Sequence, residues 1–217
     1  MKSIPVLIIP ILNRFDLLEN ALASIDYPID NILVIDNSNS YKNNDINVLN
    51  MPNNIGVAAS WNLGIKCYAT SPYWVFMGND VEWLPGTLQK ITALSGRERF
   101  LISNYGFNAF SLGANIVQKV GLFDENYFPA YYEDEDFESR VRIMGLGKNI
   151  LYPDIPVKMY GSCTTAKSGG YNSEKDKSDI SNKLYYQKKF ASDPLKCYNW
   201  DLQRWIDNRW ESNEPSV

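Results

Sequence analysis

The feature that most constrains the fold is a set of short apolar runs, each ending in polar residues. Residues 6–11 (Val-Leu-Ile-Ile-Pro-Ile), 32–35 (Ile-Leu-Val-Ile) and 73–77 (Tyr-Trp-Val-Phe-Met) contain no charged side chain. A strand with one wet face alternates apolar and polar residues. Strands apolar on both faces belong in the middle of a covered, mostly parallel sheet. Between these runs lie stretches of helical period. Residues 15–25 place Leu17, Leu18, Ala21, Leu22 and Ile25 on one face, and residues 56–68 and 85–94 also read as helices. A shorter strand is expected at 46–49, after an Asn- and Ser-rich loop. The alternation predicts an α/β fold. In such sheets ligands bind beyond the carboxyl ends of the strands. Three strand ends carry polar groups that should share that edge: Asn13-Arg14, Asp36-Asn37-Ser38 and Asn79-Asp80.

Beyond residue 100 the pattern loosens. Residues 100–103, 109–112, 149–152 and 157–160 are candidate strands. Residues 133–144 read as a helix whose start, Glu133-Asp134-Glu135-Asp136, suits the positive end of the helix dipole. Gly145 and Gly147 should end it. A Lys-rich helix is expected over 173–190. A last amphipathic stretch holds Trp200, Trp205 and Trp210, and residues 212–217 read as a frayed tail.

Composition removes several chemistries. None of the 217 residues is His, so a Ser-His-Asp or Cys-His nucleophile, His-ligated zinc and an imidazole base are all excluded. The net charge of −4 argues against nonspecific nucleic-acid binding. Cys67, Cys163 and Cys197 are an odd set without C-x-x-C spacing, which points to a reducing compartment. The apolar stretch 5–12 is too short to span a membrane, so a soluble cytoplasmic protein is expected, with contact at a membrane surface left open. No G-x-G-x-x-G follows the first strand and no G-x-x-x-x-G-K-[ST] occurs. What remains is an acidic site. Asp80 and Glu82 follow the fourth strand, and the i, i+2 rule of an extended segment predicts that both face a hard cation such as Mg²⁺ or Mn²⁺.

Five segments, in order, resemble the GT-A-fold glycosyltransferases of inverting family two. They are residues 5–14, ending Asn13-Arg14; 31–38, with Asp36; 54–64, with Asn54, Gly56 and Asn62; 74–88, with Asp80; and 121–137, with Glu133-Asp134. Each is weak alone, but the ordered set is specific. The resemblance implies a GT-A, Rossmann-like fold with a mostly parallel central sheet, in one domain over residues 1–217. A nucleotide-binding half would run to about 98, an acceptor and catalytic half over about 99–170, and C-terminal helices over about 171–211. It implies that Pro10, Asn13, Arg14, Asp36, Asn37, Asn54, Gly56, Asn62 and Asn79 hold the nucleotide. Asp36 would take the nucleobase or ribose. Asp80, the last acid of the family's D-x-D, would be the direct ligand of Mn²⁺ or Mg²⁺. Asp134 would be the general base, with Glu133 orienting base or acceptor. The donor would be a UDP-, GDP- or dTDP-sugar and the acceptor a glycan or a lipid-linked sugar. The Asn79-Asp80-Val81 form resembles rhamnosyltransferases, and the chain length resembles compact virus-encoded members.

The sequence departs from the family twice. Gly78 stands where D-x-D has its first acid, and Met159-Tyr160 stand where a metal-binding His is common. These departures motivate a second reading, a sugar-nucleotide-binding module without turnover. A sugar nucleotidyltransferase is a third, disfavoured because residues 12–15 are not a Gly-rich basic loop. A dimer contact is one use open to the terminal Trp residues.

Overall fold

The computed structural model describes residues 2–160 and 172–195. The expected Trp-bearing stretch and tail lie outside them. In chain order the elements are β1 (Leu7–Ile11), α1 (Phe15–Ala23), β2 (Ile32–Asp36), β3 (Asn47–Asn50), α2 (Val57–Cys67), β4 (Tyr73–Met77), β5 (Val81–Trp83) and α3 (Thr87–Leu94). They continue with β6 (Phe100–Ser103), β7 (Gly106–Gly113), α4 (Ala114–Val120), α5 (Glu133–Ile143), a 3₁₀ turn (Gly147–Asn149), β8 (Ile150–Leu151), β9 (Val157–Met159) and α6 (Asn172–Ser192).

Seven strands form one sheet in the order β3-β2-β1-β4-β7-β6-β8. β1 pairs in parallel with β2 and β4, and β2 with β3. β7 runs the other way, antiparallel to β4 and β6, while β8 returns parallel to β6. The sheet is therefore mostly parallel, with one reversal beside its central strand. A separate ribbon pairs β5 with β9, antiparallel.

Both sheet faces are covered, which is why the inner strands are apolar throughout. On one face Ile8, Leu33, Ile35, Trp74 and Phe76 pack with Trp61 and Ile65 of α2 and with Phe137 and Val141 of α5. On the other, Leu7, Ile9, Val34, Val75 and Met77 meet Leu18 and Ala21 of α1 and Leu88 and Ile91 of α3. Gly64 permits α2 to lie directly on β1, since a Cβ there would sit 2.6 Å from Ile8 Cδ1. Aromatic rings fill the first face: Phe76 stacks on Phe110 at 4.5 Å and Phe123 on Phe137 at 4.4 Å.

The boundary corrections have local causes. α1 stops at Ala23 because Ser24 turns back, its N–H reaching Asn20 O and its Oγ donating to Ala21 O at 2.6 Å. α5 ends in a Schellman motif at Gly145, φ +75°, with Leu146 N–H bonded to Val141 O. Gly147 instead opens the 3₁₀ turn. α4 and β5 were not expected, being too short to show a period. Among the described residues no helix is long and apolar enough to cross a membrane.

Candidate active site

A cleft of about 380 Å³ opens at the carboxyl ends of β1, β2 and β4. Leu12, Asn37 and Asp80 reach it from those ends. Because β7 is reversed, its start lies at the same edge. Met77 pairs with Ala109, Gly78 N–H donates to Asn108 O at 2.9 Å, and Asn108 joins the lining. The opposite wall is the loop before α5 and its first turn, with Asp179 of α6 beside it.

The sequence-expected nucleotide residues divide into lining and support. Pro10, Asn37, Asn54, Gly56 and Asn79 line the cleft, whereas Asn13, Arg14, Asp36 and Asn62 do not. Asp36 is fully buried, and five donors occupy its carboxylate: Ser38 N and Oγ, Ser40 N, Tyr41 N and Asn50 Nδ2, at 2.5–2.8 Å. Burial pushes this carboxyl up, but the Ser38, Tyr41 and Ser40 bonds outweigh it and hold it below the ordinary range. All five donors come from residues 38–50, so the Asp36 carboxylate organises that loop.

Asn37 ties that strand end to α2, accepting from Ile55 N at 2.9 Å and donating to Ser60 Oγ at 3.0 Å. Asn54 accepts from Gly56 N at 2.9 Å. Gly56 has φ +81°, and a Cβ there would lie 3.0 Å from Pro129 O, so this close approach requires glycine. Asn62 is a clip instead of a wall, exchanging bonds with Phe123 N and O at 2.9 Å. Asn79 donates to Asn13 O at 3.0 Å, which places Asn13 and Arg14 behind the lining.

Asp80 is buried at the cleft wall. Glu82 does not join it. β5 begins at Val81 and pairs with β9, where Glu82 is held by Lys158 at 3.0 Å and by the Tyr160 hydroxyl. The i, i+2 expectation fails because the chain turns at Gly78–Asp80 before the strand begins. A Cβ on Gly78 would meet Asp80 Oδ1 at 2.9 Å and Asn108 Oδ1 at 3.7 Å, so two hard oxygens flank the position of the missing acid. Such donors suit Mg²⁺ or Mn²⁺. Among the described residues no three His, Cys, Asp or Glu side chains gather as a metal site. Ligand oxygens would have to complete the coordination.

Tyr131 and Tyr132 sit at φ +81° and +72°, a costly conformation for bulky residues, and turn the chain into α5. Glu133 and Asp134 thereby face the cleft from the first turn. Burial, then the Asp134 charge, raises the Glu133 carboxyl well above the usual range. Its Oε2 has no hydrogen-bond partner among the described residues. A hydrogen bond to Asp134, with burial, pushes Glu135 up to about 8, so this pair retains a proton through neutral pH.

The model of the family "Glycosyl transferase family 2" matches residues 6–157, well over half the chain. The chain belongs to that family. No curated protein sequence matches it. Solved structures agree in fold at low identity. Glucosyl-3-phosphoglycerate synthase from Mycobacterium tuberculosis, complexed with Mn²⁺, UDP and glucosyl-3-phosphoglycerate, superposes with TM-score 0.57 at 13% identity, over 84% of this chain and 79% of that one. The catalytic domain of Drosophila β1,4-galactosyltransferase 7, complexed with xylobiose, gives 0.54 at 14%, over 82% and 81%. S. aureus TarS gives 0.60 at 12%, covering 98% of this chain but 44% of TarS. The fold is GT-A.

In this family 2 chain a buried charge cluster fixes the wall that carries Glu133 and Asp134, and no sequence pattern pointed to it. Lys189 of α6 pairs with Asp124 at 2.8 Å and with Asp136, while Arg140 pairs with Asp136 at 2.7 Å. Arg140 also donates to Val120 O and Leu122 O, at 3.0 and 2.9 Å. Two carboxylates meet two cations, so the burial is compensated. Nearer the start of α6, Ser178 and Asn182 hold Ala130 O at 3.0 and 2.8 Å, bracing the strained loop. Asn108, Asp179 and Lys189 carried no motif; only the strand reversal and the docking of α6 brought them in.

Proposed function

We propose that this cleft transfers a glycosyl group from a UDP-, GDP- or dTDP-sugar to a hydroxyl of a glycan or lipid-linked acceptor, inverting the anomeric carbon. One observation supports this most. Asp80 and the Asp134 segment face one cleft, and among the described residues no Lys or Arg lines it. A diphosphate in such a site requires a cation. Asp80, with the Asn108 amide oxygen, would hold Mn²⁺ or Mg²⁺ jointly with the diphosphate. Bound there, the ion would neutralise the charge of the leaving group. Asn37, Asn54 and Gly56 would shape the nucleotide wall over the loop that Asp36 organises. Asp134 would take the acceptor proton as the new bond forms, and Glu133 would orient the acceptor. Residues to about 98 would form the donor half, and those after it the acceptor half.

The test is calorimetry of UDP, GDP and dTDP with and without Mn²⁺, followed by nucleotide release from the matching sugar nucleotide. Metal-dependent affinity for one nucleotide is expected. Asp80→Asn should reduce that affinity at least tenfold in Mn²⁺ and little in its absence. A metal-independent affinity in the native chain would overturn the assignment of Asp80. Binding without release of free nucleotide would favour the non-catalytic module.

A further inference from the structure

The charge of the cleft is one-sided in a way that bears on the acceptor. Glu133, Asp134, Glu135 and Asp179 gather on the wall opposite the strand ends, and Asp80 lies across from them. Among the described residues no cationic side chain lines the same space. Two buried cations behind this wall are committed elsewhere. Lys189 and Arg140 are buried behind it on Asp124 and Asp136. Glu133 supplies an independent observation. It is 5% exposed, it lines the cleft, and its Oε2 has no partner among the described residues. A buried carboxyl oxygen left unmatched is costly unless a ligand completes it. Burial raises this carboxyl well above its ordinary range, and in its protonated form it presents both a donor and an acceptor, the complement of a sugar hydroxyl.

We propose that the acceptor side of the cleft is built for an uncharged glycan hydroxyl, seated on Glu133, and against a phosphorylated acceptor. The inference rests on the glycosyltransferase reading and narrows it. An incoming phosphate would face the carboxylates of Asp134 and Asp179 without a compensating side chain, and a cation held by Asp80 would already be matched by the donor diphosphate. A neutral hydroxyl meets no such penalty and satisfies Glu133. Tyr131 and Tyr132, which also line this wall, offer ring faces for the sugar.

The experiment is ligand-observed NMR on the full chain with UDP and Mg²⁺, using glucose, galactose and mannose, each against its 6-phosphate. At low salt at least one parent sugar should bind about tenfold tighter than its phosphate, with the gap narrowing at high ionic strength. Removing one wall charge in Asp179→Asn should shrink the gap to about threefold. Glu133→Gln, which keeps a neutral donor and acceptor, should bind the parent sugar within about twofold of native, and Glu133→Leu should lose about tenfold. UDP affinity, measured in the same samples, reports whether each variant is folded. Phosphates binding as tightly as their parents, or no parent sugar binding at all, would overturn the proposal. A native chain that binds sugars with this charge preference but no nucleotide would instead overturn the donor reading.

Discussion

Asp36 and Asp80 are buried aspartates at the ends of β2 and β4, on either side of β1, and their surroundings separate their roles. The Asp36 carboxylate is saturated by its own loop, whereas Asp80 faces the cleft. Asp36→Ala should therefore act first on stability, costing roughly 3 kcal/mol as five donors lose a charged acceptor. Urea denaturation checks this, and an unchanged midpoint would show that the loop does not depend on the carboxylate. Asp134→Asn keeps the shape of the wall and removes its basic oxygen. Turnover should fall by roughly two to four orders of magnitude while UDP affinity stays within about twofold. Both measurements are needed, since parallel losses would point to a disturbed cleft. Asp36, Asp80 and Asp134 were all legible in the sequence as motif members. Which of them face the cleft was not, because lone-pair occupancy depends on where Ser40, Tyr41 and Asn50 fold back.

At the scale of elements, α6 shapes the cleft wall opposite the strand ends. It is polar and Lys-rich, yet Ser178, Asn182 and Lys189 are buried. They hold the Phe128, Ala130 and Tyr131 carbonyls and the Asp124–Asp136 pair, so the helix fixes the loop that leads into Glu133 and Asp134. Lys189→Ala should leave two buried carboxylates facing Arg140 alone and cost about 3–5 kcal/mol. Guanidinium denaturation measures the loss, and a variant of native stability would show that the cluster contributes no net stabilisation. The existence of α6 was expected from residues 173–190. Its buried face was not, because a lysine buried against carboxylates is indistinguishable in composition from one in water.

For the molecule as a whole, proton uptake and release act in opposite directions at the site and beneath it. Glu133 and Glu135 titrate higher in the folded chain than their ordinary value of 4.5, Glu135 near 8. The unfolded chain loses these protons first, so their contribution is full below about pH 4.5 and is lost as pH rises through the folded values. Asp36 and Asp124 are held below 3.8, in each case because bonds from neighbours outweigh burial, and their contribution is lost as pH falls through that region. The melting temperature should thus decline between pH 5 and pH 8.5 as well as in strong acid. Glu135→Gln should flatten the alkaline limb. A native curve that rises steadily from pH 5 to 8.5 would show that the glutamates are not raised. The α/β class, the parallel strands and the ligand edge were written in the chain, because burial on both faces forces continuous apolar runs and strand ends carry their polar residues with them. The reversal of β7, the diversion of Glu82 to β9 and the docking of α6 were decided by tertiary structure. They depend on pairings between residues tens of positions apart, whose energies come from burial and charge compensation that no local pattern encodes.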